Sequence, residues 1–447
     1  MRCRLALSAT LLSTAQRRRT LWWNSGLKRR WTRALGEGED AASSSRSRPV
    51  LLARRREFHV LQGPDGKDGG NGTHAESELV NGVLDSDRVP EVPAAVLGPH
   101  GTARFLVNHQ GIRLACYHWP VVPASGHASL RGVVVLVHGY AVHLTFSFLQ
   151  SLELDPPKPY DGSWIHRMNL AGYAVWGIDN QSCGRSEGVQ NGSRMYFDRF
   201  EDLCADVEQL IHVIKEDPAY ARLPLFMIGE SMGGNISVHV SQKLHCMGLV
   251  DGTVLLAPMI SLEKLASSPL NRVMLPIARA LCRIAPSARI PMSKMENKRN
   301  AYLQQQFERD PMNQQGAASV QVAILTIEQC HRTVEMLDQV DFPFFVLHSE
   351  HDEIVDPEGS HMLYERAASK IKKLSVLNHP KSFHLLAGEP MHLEVLSAIF
   401  EWLDDRLLDI MSHQGTPTPD QSAVRVISTP LATLQETMPS TSDPSER

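Results

Sequence analysis

The sequence predicts an α/β fold in which a mostly parallel central sheet is flanked by helices. Continuous apolar runs such as 132–137 and 225–228 are typical of strands that are buried on both faces of a parallel sheet. An amphipathic helix is predicted at 200–214, where apolar residues recur at helical spacing. Apolar strands that alternate with helices of this length favour right-handed βαβ units, and therefore one parallel sheet covered on both sides.

The remaining elements follow the same alternation along the chain. The pattern predicts further strands at 103–107, 112–119, 174–178, 252–256, 342–347 and 373–377, and further helices at 233–244, 320–337, 359–368 and 391–408. The first two of these strands can form a hairpin, because Asn108-His109-Gln110-Gly111 between them suits a turn. Ordered structure is expected to begin near Thr102.

The two ends of the chain differ in composition from the middle. Residues 1–36 carry nine basic residues and no acidic residue, which is typical of a mitochondrial transit peptide. The alternatives are a weak secretory signal and a basic, disordered extension. We interpret 1–100 as a disordered basic extension with a flexible linker, and the Ser/Thr/Pro-rich segment 412–447 as a disordered tail.

Composition limits the class of protein. The chain has 447 residues, of which 43% are hydrophobic, and a net charge of −4, so nothing favours nucleic-acid binding. No apolar run approaches the roughly 18 residues that a membrane-spanning helix needs. The seven cysteines are scattered without a C-x-x-C pair, which favours free thiols over a disulfide framework or a zinc site. We therefore expect a cytoplasmic protein or one peripheral to membranes; the alternative is mitochondrial, through the Arg-rich N-terminus.

Residues 261–339 interrupt the alternation of strands and helices. The segment has helical patterning, four prolines between 269 and 291, and no predicted strand. Helices inserted between two sheet strands are well placed to form a cap over a site at the strand ends. The predicted organisation is therefore a core in two parts, 101–260 and 340–411, with a cap at 261–339. The apolar residues of this cap could line such a site and touch a membrane, or simply pack on the sheet: Leu270, Val273, Met274, Leu275, Ile277 and Leu281.

Ser231 is the candidate nucleophile. It lies in Gly229-Glu230-Ser231-Met232-Gly233, directly after the predicted strand 225–228. A strand that breaks into G-x-S-x-G lifts the serine onto a tight turn before a helix. Gly229 and Gly233 are expected at positions where a side chain would collide with the neighbouring strand and helix.

A serine hydroxyl needs an imidazole to take its proton and a carboxylate to orient that imidazole. Asp352 follows the strand 342–347, and His384 follows the strand 373–377, so both are expected at the same sheet edge as Ser231. The order Ser, Asp, His is that of one hydrolase architecture. The competing side chains in the same loops are Glu350, Glu353, Asp356, His379 and His392.

Backbone amides are needed to stabilise the oxyanion. Val137-His138-Gly139-Tyr140 follows the first long strand, and the N–H groups of Tyr140 and Met232 are the expected donors. His138 is interpreted as orienting this loop through a backbone hydrogen bond, with no role as a base or a metal ligand.

These motifs, together with His143 and Gly184-Arg185-Ser186-Glu187-Gly188, resemble the monoacylglycerol lipase and lysophospholipase group of α/β-hydrolases, which is also grouped with the serine aminopeptidases. The resemblance runs from about Thr102 to Asp409. It implies an α/β-hydrolase fold with a helical cap inserted before the acid-bearing strand. One stretch departs from the family: Gln181-Ser182-Cys183-Gly184 has cysteine where histidine is usual and serine where glycine is usual. We expect altered packing there and retained chemistry.

The resemblance implies a serine hydrolase that cleaves the carboxylic ester of a single-chain lipid, a monoacylglycerol or a lysophospholipid, without cofactor or metal. Membrane contact through the cap is a hypothesis. The alternative enzymes on the same triad are an acyl-protein thioesterase and another carboxylesterase, and the alternative from a different class is an inactive interaction protein on the hydrolase scaffold. Intact serine, acid and histidine positions favour an enzyme.

Overall fold

The computed structural model describes residues 83–85, 88–121, 129–149, 159–189, 194–263, 269–290 and 296–413. All of them belong to the second of two compact units, Thr73–Arg447. The Arg-rich segment 1–36 and the tail 414–447 lie outside the described residues, and so do the expectations made of them.

Nine strands within the described residues form one sheet, in the order β1-β2-β3-β5-β4-β6-β7-β10-β11. β1, β2 and β3 are antiparallel to their neighbours, and all pairs from β5 to β11 are parallel. The strands are β1 Val83–Asp85, β2 Thr102–Val107, β3 Arg113–Trp119, β4 Gly132–Val137, β5 Tyr173–Ile178, β6 Leu225–Glu230, β7 Gly252–Leu256, β10 Phe344–Ser349 and β11 Lys372–Leu377. The predicted mostly parallel sheet is confirmed, with strand boundaries within two residues of the sequence pattern.

Helices cover both faces of this sheet and fill the 261–339 segment. They are α1 Ala94–Leu97, α2 Leu144–Phe148, α3 Trp164–Leu170, α4 Phe200–Glu216, α5 Met232–Leu244, α6 Pro269–Ile284, α7 Ala301–Arg309, α8 Val320–Met336, α9 Glu358–Arg366 and α10 His392–His413. Short 3-10 turns follow α5 and α8, at His245–Met247 and Leu337–Gln339.

The core has two layers, one on each side of the sheet. Successive residues of the central strand β4 point to opposite layers, as the two-residue period of a strand requires. Val134 and Leu136 pack with Trp164 of α3, whereas Val133 and Val135 pack with α4 and α5. All six residues of β4 are buried, which explains the unbroken apolar run in its sequence.

The expectation that order begins near Thr102 is wrong. Val83–Asp85 adds an antiparallel strand to β2, and α1 buries Val96 against the sheet layer. Both elements are too short to show a period in sequence. They are stabilised by contacts with residues that are distant in the chain, and such contacts cannot be predicted from the periodicity of a short segment.

The expectation that 261–339 contains no strand is also wrong. Two-residue strands, β8 Arg289–Ile290 and β9 Ala318–Ser319, pair antiparallel within this segment. A ladder of two residues is too short to produce alternation in the sequence. The helical patterning of the segment is confirmed by α6, α7 and α8.

Among the described residues, none of the helices is both long enough and apolar enough to cross a lipid bilayer. Six of the seven cysteines are described, and none of these six forms a disulfide.

Candidate active site

Ser231 lies on a strained turn between β6 and α5. Its φ is +54°, in the left-handed region that side chains rarely adopt. A Cβ on Gly233 would lie 2.2 Å from the carbonyl oxygen of Val137, and a Cβ on Gly229 would lie 2.4 Å from that of Gly233. Both neighbours are main-chain atoms, so the turn is too crowded for any side chain at these two positions.

The imidazole of His384 joins Ser231 to Asp352. Nδ1–H of His384 donates to Oδ2 of Asp352 at 2.6 Å, and Nε2 lies 3.0 Å from Oγ of Ser231. A carboxylate can only accept, so Nδ1 carries the hydrogen and Nε2 is left to accept from the serine hydroxyl. The structure thus brings together three side chains that are distant in sequence. Nε2 is positioned to take the serine proton.

The two charged groups shift each other's pKa. Burial alone would lower the pKa of His384, but the adjacent Asp352 carboxylate and its hydrogen bond outweigh burial and raise that pKa. Burial alone would raise the pKa of Asp352, but the His384 charge and hydrogen bonds from His348 and His384 hold it well below its usual range. Asp352 is therefore ionised over the whole physiological range, and it stabilises an imidazolium at His384.

Asp352 has two further supports that the sequence did not single out. The Nε2–H of His348 donates to Oδ2 of Asp352 at 3.1 Å. The ring of His348 is held in turn by the hydroxyl of Ser360, which donates to Nδ1 of His348 at 2.7 Å. Main-chain N–H groups of Ile354 and Val355 donate to Oδ1. The spacing of four residues between His348 and Asp352 gave no signal in a sequence with 20 histidines.

Glu389 holds the loop 379–389 that carries His384, which we call the histidine loop. Its Oε2 accepts from the N–H of Phe383 at 2.7 Å, and its Oε1 accepts from the N–H groups of His384 and Leu385 at 2.8 and 3.0 Å. Burial raises the pKa of Glu389, and these three donors oppose that shift. One carboxylate therefore holds the three consecutive main-chain N–H groups at the centre of the loop. Sequence reasoning missed Glu389, because an acid before a proline reads as an ordinary helix start.

The loop 138–143 lies against Ser231. A Cβ on Gly139 would lie 3.2 Å from Cβ of Ser231, so a side chain there would require the turn at Ser231 to move by a few tenths of an ångström. His138 is buried; its Nδ1–H donates to the carbonyl of Gly139 and its Nε2 accepts from the N–H of Asn180. Burial lowers the pKa of His138 to about 4, so the ring is neutral and serves only to shape the loop.

The residues whose N–H groups are the expected oxyanion donors are Tyr140, in the 138–143 loop, and Met232, directly after Ser231. Tyr140 follows Gly139 and lines the same cavity as Ser231. Met232 is the first residue of α5, where an N–H has no acceptor inside the helix. The N-terminal end of a helix also favours negative charge.

The competing side chains are engaged elsewhere. Glu353 pairs with Lys298, Asp356 accepts from the N–H of Glu358 at the start of α9, and Glu350 and His379 are exposed. His392 accepts a hydrogen bond from the indole N–H of Trp164. The histidine loop itself brings only His384 to Ser231.

The segment 181–184, which departs from the family pattern, combines a residue of positive φ with a buried thiol. Ser182 has φ +63°, a conformation that glycine adopts more easily, and its hydroxyl donates to the carbonyl of Tyr196 at 2.6 Å. Cys183 is buried beside Met195, and burial raises the pKa of its thiol well above the usual value. A buried protonated thiol is unreactive, so Cys183 is a packing residue.

An apolar cavity of about 140 Å³ opens onto Ser231 and His384. Its walls come from the core and from α7 and α8 of the 261–339 segment. Residues of these two helices that line the cavity are Leu303, Gln304, Phe307, Val322, Ala323, Thr326 and Ile327. Polar side chains enter the lining near the histidine loop, at Asn297 and Gln304.

Comparisons with known proteins agree with this architecture. A family model described as serine aminopeptidase, S33, matches residues 128–391. The chain is 26% identical over 283 residues to the monoacylglycerol lipase of Mycolicibacterium smegmatis, covering 62% of this chain and 89% of that protein. It is 26% identical over 322 residues to the human monoglyceride lipase, covering 72% and 95% respectively.

Solved structures share the fold. The monoglyceride lipase of Saccharomyces cerevisiae, crystallised as a soluble variant with a substrate analogue, matches with a TM-score of 0.53 at 20% identity, over 71% of this chain and all of that one. The monoacylglycerol lipase of Paleococcus ferrophilus matches with a TM-score of 0.50 at 21% identity, over 66% of this chain and 99% of that one.

Proposed function

Since this chain belongs to the serine aminopeptidase S33 family, we propose that it is a serine hydrolase that cleaves the carboxylic ester of a single-chain lipid. The substrate is a monoacylglycerol or a lysophospholipid. One observation carries the proposal: the hydrogen-bonded chain Ser231–His384–Asp352 ends at the wall of an apolar cavity. Relatives named monoacylglycerol or monoglyceride lipase support the substrate class.

The reaction proceeds through an acyl-enzyme. Ser231 attacks the ester carbonyl while His384 takes its proton, and the N–H groups of Tyr140 and Met232 stabilise the oxyanion. His384 then protonates the leaving alkoxide. A water that loses its proton to His384 hydrolyses the acyl-enzyme. Asp352 stabilises the imidazolium in both halves, and the chemistry needs no cofactor or metal.

The cavity suits one acyl chain. Its apolar walls from α7 and α8 exclude water from the tetrahedral intermediate, which strengthens the electrostatic stabilisation there. Asn297 and Gln304 supply hydrogen-bonding groups near His384 for a polar head group. In this proposal the 261–339 segment is the cap of the enzyme.

α6 is the proposed membrane contact. Val273, Met274 and Ile277 are exposed on it, and so is Ile284 at its C-terminal end. Leu275 and Leu281, by contrast, pack against Val320 and Ile324 of α8, so they belong to the interior; the side chain of Leu270 lies outside the described residues.

An exposed apolar stripe on a helix that packs against the cavity wall suits a lipid surface. Val273→Asp with Ile277→Asp is expected to reduce co-sedimentation with phosphatidylcholine vesicles and to leave hydrolysis of a short-chain, water-soluble ester unchanged. The matched control is Val89→Asp with Met247→Asp, which adds the same two negative charges at exposed apolar positions outside α6. Undiminished vesicle binding by the first variant contradicts this contact.

A fluorophosphonate probe tests the nucleophile. We expect covalent labelling of the wild type, and none of Ser231→Ala, with Ser237→Ala on α5 as the matched control that still labels. Labelling that persists in Ser231→Ala contradicts the assignment. A panel of monoacylglycerols, lysophosphatidylcholine, triglycerides and acyl-thioesters then tests the substrate; a preference for acyl-thioesters would favour the thioesterase alternative.

A further inference from the structure

Helix α7 bridges the two loops between which the reaction takes place. One end contacts the histidine loop, the other contacts the 138–143 loop, and the middle faces the cavity. With nine residues the helix is about 13 Å long. The contacts at each end are polar, short and specific.

The N-terminal end of α7 is tied to the histidine loop. The hydroxyl of Tyr302 donates to the carbonyl of Gly388 at 2.6 Å. The side-chain amide of Asn300 donates to the carbonyl of Lys381 at 2.9 Å. The two carbonyl groups lie on either side of His384 in the chain, so the end of α7 is hydrogen-bonded to the histidine loop both before and after His384.

The C-terminal end of α7 is tied to the 138–143 loop. The hydroxyl of Thr145 donates to Nδ1 of the buried His143, so Nε2 carries the hydrogen and donates to Oδ2 of Asp310 at 2.9 Å. The N–H of Gln314 donates to the carbonyl of Ala141 at 2.8 Å. Ala141 has φ +65° and directly follows Tyr140, so this bond secures a strained peptide next to an oxyanion donor.

The middle of the helix packs between these ends. The ring of Phe307 meets that of Phe146 of α2 edge to face, with centroids 6.0 Å apart. Leu303 and Phe307 also line the cavity. Helix α7 is therefore joined to the core along its whole length, in contrast to α6, which exposes its apolar side chains.

We propose that Asp310 and Tyr302 are positioning residues, through which α7 holds the oxyanion donor of Tyr140 and the imidazole of His384 at a fixed separation. This inference rests on the proposed function. Asp310 acts through His143 and Tyr302 through Gly388, and neither touches the substrate. Oxyanion stabilisation requires donors held within about half an ångström of their productive place, and a helix tied at both ends supplies that rigidity.

Steady-state kinetics on a monoacylglycerol test the proposal with Asp310→Ala and Tyr302→Phe. Each variant should lower kcat by about tenfold to a hundredfold, below the 10²–10³ that loss of an oxyanion donor costs, and leave KM within about threefold. A long-chain alkyl boronic acid, which forms a tetrahedral adduct on the serine, should bind more weakly by the same factor as the loss in kcat.

Matched variants separate positioning from folding. Asp310→Asn should have a higher kcat than Asp310→Ala, close to that of the wild type. The amide oxygen of the asparagine can accept from the N–H of Met312, as Asp310 does. Its NH₂ can donate to Nε2 of His143 when the hydrogen of that ring is on Nδ1. Gln305→Ala, at an exposed position of the same helix, and Tyr364→Phe on the exposed face of α9 should behave as wild type.

Wild-type kcat in both Asp310→Ala and Tyr302→Phe overturns the inference, and so does a loss in kcat that Asp310→Asn fails to restore. Such results leave the proposed function intact if the wild type hydrolyses the ester and Ser231 is labelled. A wild type that is neither labelled nor active instead rejects the proposed function.

Discussion

The main-chain N–H of His384 donates to Oε1 of Glu389 at 2.8 Å, so the residue that carries the imidazole is held by a carboxylate five positions further along the chain. The same carboxylate receives the neighbouring N–H groups of Phe383 and Leu385. Glu389 is fully buried, and the loop that it holds has no regular secondary structure. The orientation of the imidazole therefore depends on a side chain other than its two direct partners, Ser231 and Asp352.

Glu389→Gln should weaken both folding and turnover. Glutamine keeps one acceptor oxygen and turns an NH₂ group toward a backbone donor, which leaves a buried N–H unsatisfied at a cost of about 1–3 kcal/mol. We expect a lower urea midpoint and a lower kcat, measured on the same preparation. Glu394→Gln, early in α10, is the control, and equal behaviour of the two variants contradicts the role of Glu389.

Asp352→Asn should move the acidic limb of the pH–rate profile. The reaction needs neutral His384, and the carboxylate raises the pKa of that histidine, so wild-type kcat/KM should rise with pH around a value above 6.5. Removing the negative charge shifts the limb to lower pH. It also lowers kcat by about 10⁴, because the imidazole loses its correct tautomer. An unshifted limb in the variant contradicts the coupling; Asp356→Asn is the control.

Asp206 should make stability depend on pH. It accepts from the amides of Asn108 and Gln181, and burial raises its pKa to about 7. At pH values between the ordinary aspartate pKa and about 7, Asp206 is protonated in the folded chain and ionised in the unfolded chain. The free energy of unfolding therefore falls as pH rises through that window.

Asp206→Asn should flatten this part of the stability curve, measured by urea unfolding at several pH values between 4 and 8. The exposed Asp341→Asn is the control and should retain the wild-type slope. An identical slope in Asp206→Asn and the wild type would show that another group is responsible.

Gly233→Ala should disrupt the turn at Ser231. The new Cβ would lie 2.2 and 2.5 Å from the carbonyl oxygens of Val137 and His138, which are main-chain atoms that cannot swing away. We expect slow labelling by a fluorophosphonate and a lower melting temperature. Gly248→Ala, where no atom crowds the new methyl but φ is +70°, should cost only about 1–2 kcal/mol and label normally. Normal labelling of Gly233→Ala contradicts the steric argument.

The sequence pattern was sufficient for eight of the nine strands of the sheet, because strands such as β4 are buried on both faces and are therefore continuously apolar. It also predicted α4, α5, α8, α9 and α10, but not the short helices α2 and α3. The short elements β1, α1, β8 and β9 left no such pattern. The resemblance to the monoacylglycerol lipase group is confirmed by the family match and by the relatives. The apolar residues of α6 were only partly interpretable from sequence: Val273 and Leu275 lie two positions apart, yet the first is exposed and the second packs inward.

What the sequence alone determined is the order of strands and helices and the positions of Ser231, Asp352 and His384 at strand ends, since chain direction fixes the edge of a parallel sheet at which each strand ends. Only the tertiary structure decided which groups hold them: His348 on Asp352, Glu389 on the histidine loop, and α7 between that loop and Tyr140. These partners are polar groups whose meeting depends on three-dimensional proximity, and hydrogen bonds of this kind have no period or spacing in the chain.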